Sequence, residues 1–156
     1  MRVALSEIED RPREDMLRER AYFAALLELT RDHGLALYDP RYDRLYDPRG
    51  SIASVEVELG EGSKVPYLSP GLLAEIFDYP SDAPTAIVVR AGSDDYIQSY
   101  FPCGEPVVVE HHRFETDQHY EAVTPDRQLA QRVLWGWATA STDWESALSW
   151  ESVELE

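Results

Sequence analysis

The chain has 156 residues, which is enough for one domain that buries roughly two-thirds of the surface its unfolded chain exposes. Hydrophobic residues make up 44% of the sequence, so an apolar core is feasible and disorder throughout the chain is not expected. The 30 acidic and 14 basic side chains give a net charge of −16, which disfavours direct binding to nucleic-acid phosphates and to anionic lipid.

The first predicted elements are a short strand at Arg2–Leu5 and a long helix. Apolar side chains recur at helical spacing from near Pro12 to about His33, with charged side chains on the opposite surface. Gly34 follows, and glycine commonly ends a helix because it tolerates positive φ. We therefore predict a long amino-terminal helix with one face in the core.

A small hairpin is predicted next. Leu35–Tyr38 has strand character and leads into a segment rich in Arg and Tyr. Within this segment the tetrapeptide Tyr-Asp-Pro-Arg of positions 38–41 recurs at positions 46–49. Because Asp-Pro pairs favour turns, we expect two such turns to flank the hairpin.

The middle of the chain predicts an antiparallel meander. From Ser51 onward apolar and polar residues alternate, as in a strand with one face in water. Ser69 and Pro70 predict the N-cap and the first residue of a short helix. Short turn-like separators divide the remaining strand-like segments, which are Thr85–Arg90, Tyr96–Phe101, Pro106–Phe114 and His119–Val123.

The last part of the chain predicts a helix followed by an edge strand or an extended tail at Ala147–Val153. Thr124 can cap the helix, with Pro125 at its first position and Asp126 in its first turn. Its predicted core face consists of Leu129, Val133, Gly136, Trp137 and Ala140. Because helices and strands do not alternate as βαβ units, we predict an α+β fold in a single domain over residues 1–156. Its antiparallel meander should have about five to six strands, with the amino-terminal and carboxy-terminal helices on one face.

The negative charge is concentrated in one part of the chain. Residues 1–50 carry 9 basic and 11 acidic side chains, whereas residues 51–156 carry 5 basic and 19 acidic side chains. Such a field speeds encounter with a cationic partner and repels polyanions. Solubility is the alternative explanation of the same charge.

Three sequence features predict a cytoplasmic protein that does not enter membranes. Cys103 is the only cysteine, so no intramolecular disulfide can form, which fits a reducing compartment. The longest apolar runs are only a few residues. No basic segment followed by an apolar one opens the chain, so we do not expect export by a signal peptide.

Motifs for catalysis or cofactor binding are weak. Gly60–Lys64 contains two glycines before a lysine but lacks the spacing of a phosphate loop. Glu110, His112 and His119 lie on or beside one predicted hairpin, where they offer metal ligands without a fixed-spacing metal motif. We therefore predict no enzymatic activity and no cofactor. A small metal-dependent enzyme that uses the region of His112 and His119 stays open as an alternative.

The four tryptophans all lie after position 134. Trp137 falls on the predicted core face of the last helix, whereas Trp135 is displaced from it by about 200° and should point away from that face. If Trp135 lies beside Tyr96, Tyr100 or Trp144, it can anchor a protein partner. A second packing layer is the alternative.

Residues 86–151 resemble a known group of bacterial proteins. The resemblance is carried by Tyr-Ile-Gln-Ser-Tyr-Phe at 96–101, by an acidic hairpin that ends in His119-Tyr120, by a Thr-Pro-capped helix, and by Ser-Trp-Glu at 149–151. This pattern is similar to immunity proteins of polymorphic toxin systems, especially the family that contains the partner of a double-stranded-DNA cytidine deaminase toxin. The resemblance implies a small α+β domain that binds and blocks a toxin domain without catalysis.

The resulting hypothesis is a non-catalytic inhibitor whose partner is a basic nuclease or deaminase domain. Its carboxylates would meet the Arg and Lys side chains that normally hold substrate phosphates. An acidic DNA mimic that occupies a DNA-binding protein is an alternative. The residues expected to contact the partner are Asp94, Asp95, Tyr96, Glu110, Glu115, Asp117 and Trp135.

Overall fold

A computed structural model describes residues 13–79 and 82–153, so the strand predicted at Arg2–Leu5 lies outside the described residues. The described residues form three α-helices and nine strands. The helices are α1 (Arg13–Asp32), α2 (Pro70–Asp78) and α3 (Arg127–Ala138). The strands are β1 (Leu37–Asp39), β2 (Arg44–Tyr46), β3 (Val55–Leu59), β4 (Lys64–Val65), β5 (Thr85–Arg90), β6 (Tyr96–Tyr100), β7 (Val107–Arg113), β8 (Gln118–Thr124) and β9 (Glu151–Val153).

The fold is α+β, as the sequence predicts. Strands β3 to β9 form one antiparallel sheet in the order β4-β3-β5-β6-β7-β8-β9, and β1 and β2 form a separate hairpin. The sheet has seven strands rather than the expected five to six. Strand β4 accounts for the difference, because its two residues are too few to show a period-two pattern.

The alternation of side chains along the strands gives the sheet two different faces. Val57, Val88 and Ile97 are in register across β3, β5 and β6, and all three are fully buried. They belong to a core that also contains Leu72 and Val133 from α2 and α3. We call this side the covered face.

The third helix begins two residues later than the sequence predicts. Asp126, not Thr124, is the N-cap, because its side chain accepts a hydrogen bond from the backbone N–H of Leu129 at 3.0 Å. Thr124 instead accepts a hydrogen bond from the backbone N–H of Asp126 at 3.1 Å. Pro125 therefore lies before the helix. Ala140 is also misplaced by the prediction: it is exposed beyond the end of α3 with φ of 55°.

Two cation contacts fix α3 on the sheet. The guanidinium of Arg90 on β5 lies 4.5 Å from the Trp137 ring centroid and donates a hydrogen bond to the Trp137 carbonyl at 2.9 Å. Arg127 donates to the carbonyls of Phe77 and Phe101, at the end of α2 and just after β6. These contacts anchor the last helix at both of its ends.

The amino-terminal part forms the predicted long helix and hairpin. Gly34 follows α1 with φ of 65°, the left-handed conformation expected of a helix-ending glycine. The repeated tetrapeptide folds twice into the same local structure: Asp39 accepts from the backbone N–H of Arg41 at 2.9 Å, and Asp47 accepts from that of Arg49 at 3.0 Å. The first turn connects β1 to β2 and the second follows β2, so the two turns do not flank the hairpin as predicted.

The other predicted elements occur at nearly the predicted positions. Ser69 caps α2 by accepting from the N–H of Leu72 at 3.0 Å, and Pro70 is its first residue. The expected carboxy-terminal edge strand forms over Glu151–Val153, where it pairs with β8. Within residues 13–79 and 82–153, no helix combines the length and the apolar character that crossing a membrane requires.

Candidate protein-binding face

The second face of the sheet, opposite the core, is not covered by any helix of the described residues. Of the strand side chains that point to this side, only His119 is buried. We call this side the open face. Strand pairing arranges its side chains on β6 to β9 in three rows that cross the strands. The apolar row is Tyr100, Val108 and Val123; the glutamate row is Gln98, Glu110, Glu121 and Glu151; the histidine row is Tyr96, His112, His119 and Val153.

The glutamate row places like charges directly opposite one another. Glu110 faces Glu121, and Glu121 faces Glu151 on the next strand. Adjacent strands lie about 4.8 Å apart, and facing like charges destabilise a sheet. The amide of Gln98 donates to Glu110 at 2.5 Å, whereas Glu121 and Glu151 have no cationic partner among the described residues.

The histidine row is a packed ring cluster. The ring centroids of Tyr96 and His112 are 5.4 Å apart in a stacked arrangement, and those of His112 and His119 are also 5.4 Å apart. His119 Nε2 lies 3.5 Å from both Tyr96 Oη and Glu110 Oε2. Burial, together with the Glu110 charge, raises the pKa of the Tyr96 hydroxyl. These contacts place the rings of Tyr96, His112 and His119 against one another beside the glutamate row.

The positions of His112 and His119 are also relevant to the alternative of a metal-dependent enzyme. His112 and His119 face each other in register, closer than the sequence alone indicates. Their Nε2 atoms, however, lie near different carboxylates, since His112 Nε2 is 3.3 Å from Asp117 and His119 Nε2 is 3.5 Å from Glu110. In the part of the chain that the structure describes, no group of three or more His, Cys, Asp or Glu side chains is placed to hold a metal ion.

Two acidic turns lie at one end of the open face. Asp94 and Asp95 are in the turn between β5 and β6, and Glu115 and Asp117 are in the turn between β7 and β8. A hydrogen bond of 2.8 Å from the backbone N–H of Phe114 to Asp95 joins the two turns. Six of the predicted contact residues therefore lie on the open face or at this end of it: Asp94, Asp95, Tyr96, Glu110, Glu115 and Asp117.

Trp135 lies elsewhere. It is half-buried and lines a groove of about 460 Å³ between α2 and α3, together with Leu73 and Gln131. This groove is on the helical side of the molecule. Trp135 makes no ring contact with Tyr96, Tyr100 or Trp144 within the described residues, so the condition set for its role as an anchor is not met.

Sequence reasoning did not single out Glu121, Glu151, Tyr100 or Val123 as contact residues. Tyr100 is 47% exposed and Val123 is 58% exposed, and strand pairing places both in one row with Val108. The alternation of His119, Glu121 and Val123 already places these three on one face. The pairing of Glu121 with Glu151 has no such signal, because β9 is separated from β8 by a helix.

On the covered face, His111 fastens β7 and β8 to the end of the chain. Its ring stacks on Tyr120 at 4.9 Å and meets the rings of Trp144 and Trp150 edge-on at 5.0 and 4.7 Å. Burial, aided by the charges of Arg113 and neighbouring histidines, lowers the pKa of His111 to about 4. This aromatic cluster supports the strands that carry the three rows.

Comparisons of this chain with protein-family models, with curated proteins and with solved structures find no match. The fold and the site together define an acidic α+β protein with an open sheet face. Its function is therefore inferred from the residues described above.

Proposed function

We propose that this protein is a non-catalytic inhibitor that binds a cationic toxin domain through the open face and blocks it. One observation carries the proposal: the strand residues on this face include five glutamates and one lysine, next to exposed Tyr100 and Val123. Charge of one sign beside exposed aromatic and aliphatic side chains is suited to a protein partner of opposite charge.

The charge excess is localised within the face. On β3 and β4, Lys64 lies 3.0 Å from Glu56 and 3.6 Å from Glu58, which compensates part of their charge. The glutamates of β7, β8 and β9 face one another instead. The strongest negative field is therefore expected over β7 to β9, where it would guide a basic domain toward the face.

The nature of the partner follows from the resemblance of residues 86–151 to toxin immunity proteins. Nuclease and deaminase domains need Arg and Lys side chains to hold phosphates, and carboxylates on an inhibitor can occupy those same side chains. An inhibitor of this kind needs no catalytic group of its own, only a surface that excludes substrate.

The alternative of a DNA mimic predicts carboxylates in repeated rows. On the described strands, directly facing glutamates form one row, and the rows on either side carry aromatic, histidine and aliphatic side chains. Duplex DNA presents one phosphate charge per about 1.7 Å of its axis and has no apolar rows between its backbones. The open face is therefore better suited to a protein partner than to imitation of DNA.

Co-expression tests the proposed function. The domain encoded immediately upstream of this gene, which the proposal expects to be a toxin, is produced in bacteria with this chain or with an unrelated acidic protein of similar size. We expect growth to be restored only by this chain, and a complex of one toxin domain with one inhibitor in size-exclusion chromatography with light scattering. Persistent growth arrest and separate elution of the two proteins would contradict the proposal.

A further inference from the structure

We infer that the open face binds a basic, amphipathic segment of its partner that lies across strands β6 to β9. Arg or Lys side chains of this segment contact the glutamate row, and its apolar side chains contact the apolar row and the histidine row. The identification of the partner as a toxin rests on the proposed function. The chemistry of the bound segment follows from the three rows alone.

The spacing of the rows is suited to long cationic side chains. Neighbouring rows are two residues apart along each strand, or about 7 Å. The aliphatic part of an arginine or lysine covers apolar surface while its charged end reaches a nearby carboxylate. A guanidinium can also bind one carboxylate through two parallel hydrogen bonds. A glutamate row between two rows of aromatic and aliphatic side chains therefore favours arginine and lysine side chains over a small inorganic cation, which has no apolar part.

Over residues 13–79 and 82–153, no arginine or lysine side chain pairs with the glutamate row. Arg113, the basic residue on β7, points to the covered face and pairs with Glu145. Lys64 lies at the far edge of the sheet, with four strands between its own strand and β8. Among the described residues, then, nothing neutralises Glu121 and Glu151, and cations from a partner would relieve the repulsion between them.

A second copy of the chain is a less suitable occupant. In a symmetric dimer through this face, the same patch from both protomers would meet. Two faces of net negative charge would then come together, and the apolar contacts would have to overcome repulsion between like charges. The charge of the face therefore favours a basic segment of a different protein.

The test uses a short synthetic peptide that alternates Arg and Leu, with a peptide that alternates Glu and Leu as its control. The isotope-labelled full-length chain is titrated with each peptide and followed by NMR. Two triple variants are compared with the wild type: E110Q/E121Q/E151Q in the glutamate row, and E28Q/D78N/E105Q at exposed positions elsewhere. Both triple variants change the net charge equally, and circular dichroism verifies that both fold.

We expect the Arg-Leu peptide to shift signals of the three rows and the Glu-Leu peptide to shift none. The dissociation constant should rise at least about tenfold in the glutamate-row variant and less than about twofold in the control variant. Equal losses in both variants would overturn the inference, because binding would then respond only to net charge. Shifts confined to the groove around Trp135 would overturn it too.

The inference and the proposed function can fail separately. If the glutamate-row variant still restores growth and binds the toxin domain with unchanged affinity, the inference is wrong and the proposed function stands. If the chain never binds the toxin domain while the Arg-Leu peptide occupies the three rows, the proposed function is wrong and the inference stands for another basic partner.

Discussion

His111 and His112 are adjacent in sequence, yet their side chains lie on opposite faces of β7. His111 is 3% exposed within an aromatic cluster, whereas His112 contributes to the open face and lies near the exposed Asp117. The period-two alternation of the strand separates them. Two histidines next to each other in the sequence therefore have different roles, one in packing and one at the surface.

The burial of His111 predicts a loss of stability at acidic pH. Its pKa is about 4 in the folded protein and near 6.5 in the unfolded chain, so only the unfolded chain takes up this proton as the pH first falls below 6.5. The stabilising contribution is complete above pH 6.5 and is lost toward pH 4, by up to about 3 kcal/mol. Urea unfolding at several pH values measures the effect.

The variant His111→Phe should lose this part of the pH dependence. The control His33→Gln, at an exposed histidine after α1, should keep the wild-type slope between pH 6.5 and 4. The comparison uses slopes rather than absolute stabilities, because a phenylalanine also changes the packing against Tyr120 and the two tryptophans. A wild-type slope in the His111→Phe variant would contradict the assignment.

Arg44 and Glu61 form a buried ion pair whose contribution to stability can be measured with single and double substitutions. The two side chains are paired and only 3% and 9% exposed, and they connect β2 to the turn between β3 and β4. Removing one partner leaves the other charge buried, so Glu61→Ala should reduce the free energy of unfolding by about 3–5 kcal/mol. Replacing both, as Arg44→Met with Glu61→Leu, should restore most of that loss. A double variant as unstable as the single one would contradict this explanation.

At the scale of elements, the contact between α3 and the segment after it depends on Gly136. A Cβ atom at this position would lie 2.9 Å from Trp144 Cβ, and neither atom can move without the backbone. Gly136→Ala should therefore reduce stability by about 1–3 kcal/mol, although alanine favours helices. Gly71→Ala in α2 is the matched control, because its Cβ would meet only ordinary contacts, the nearest at 3.6 Å. If both variants were equally stable in thermal unfolding, the packing argument would be wrong.

In the glutamate row, by contrast, we expect a substitution to increase the stability of the protein. Glu121 faces Glu110 and Glu151, so Glu121→Gln removes repulsion on both sides. We expect the free energy of unfolding to rise by about 0.2–1 kcal/mol at low salt and the gain to shrink as salt screens the charges. Glu105→Gln, in an exposed turn, should change little. A decrease in stability of the Glu121→Gln protein would mean that the row is not repulsive.

Most elements could be predicted from local patterns, and the exceptions have physical reasons. The period-two alternation marks β3, short turn-like separators divide β5 to β8, and Ser69-Pro70 marks the start of α2. Strand β4 could not be predicted, because its two residues become a strand only by pairing with β3. The start of α3 was misplaced because Thr124, Pro125 and Asp126 all suit a helix start, and only the hydrogen bond to Leu129 decides among them.

At the scale of the whole molecule, the acidity of the chain is not spread evenly over its surface. Residues 1–50, which are nearly neutral, include α1 and the hairpin of β1 and β2. In and beside this hairpin Asp39 pairs with Arg41 and Asp47 pairs with Arg49, whereas Arg44 pairs with Glu61 of the turn between β3 and β4. Residues 51–156 carry the excess negative charge, most of it in turns, loops and helices. Within the sheet, the glutamates of β7 to β9 point away from the core. A one-sided field of this kind is suited to orienting a basic partner.

The candidate site could be predicted only in part. The sequence identifies acidic turns and Tyr96 as contact residues, and the fold places Asp95 beside the turn that holds Glu115. The sequence alone could not identify the glutamate row, because the row depends on the pairing of three strands and Glu151 belongs to the last of them. Trp135 was included for its chemistry, but the axis of α3 turns it toward α2 and away from the sheet.

Hydrogen–deuterium exchange of the chain, free and bound to its proposed toxin partner, tests the central claim most directly. If the open face is the binding surface, complex formation should slow exchange in β7, β8 and β9 and in the two acidic turns. The peptides of α2 and α3 around Trp135 should then exchange as they do in the free protein. Protection confined to α2 and α3, with unchanged exchange in β7 to β9, would contradict the account.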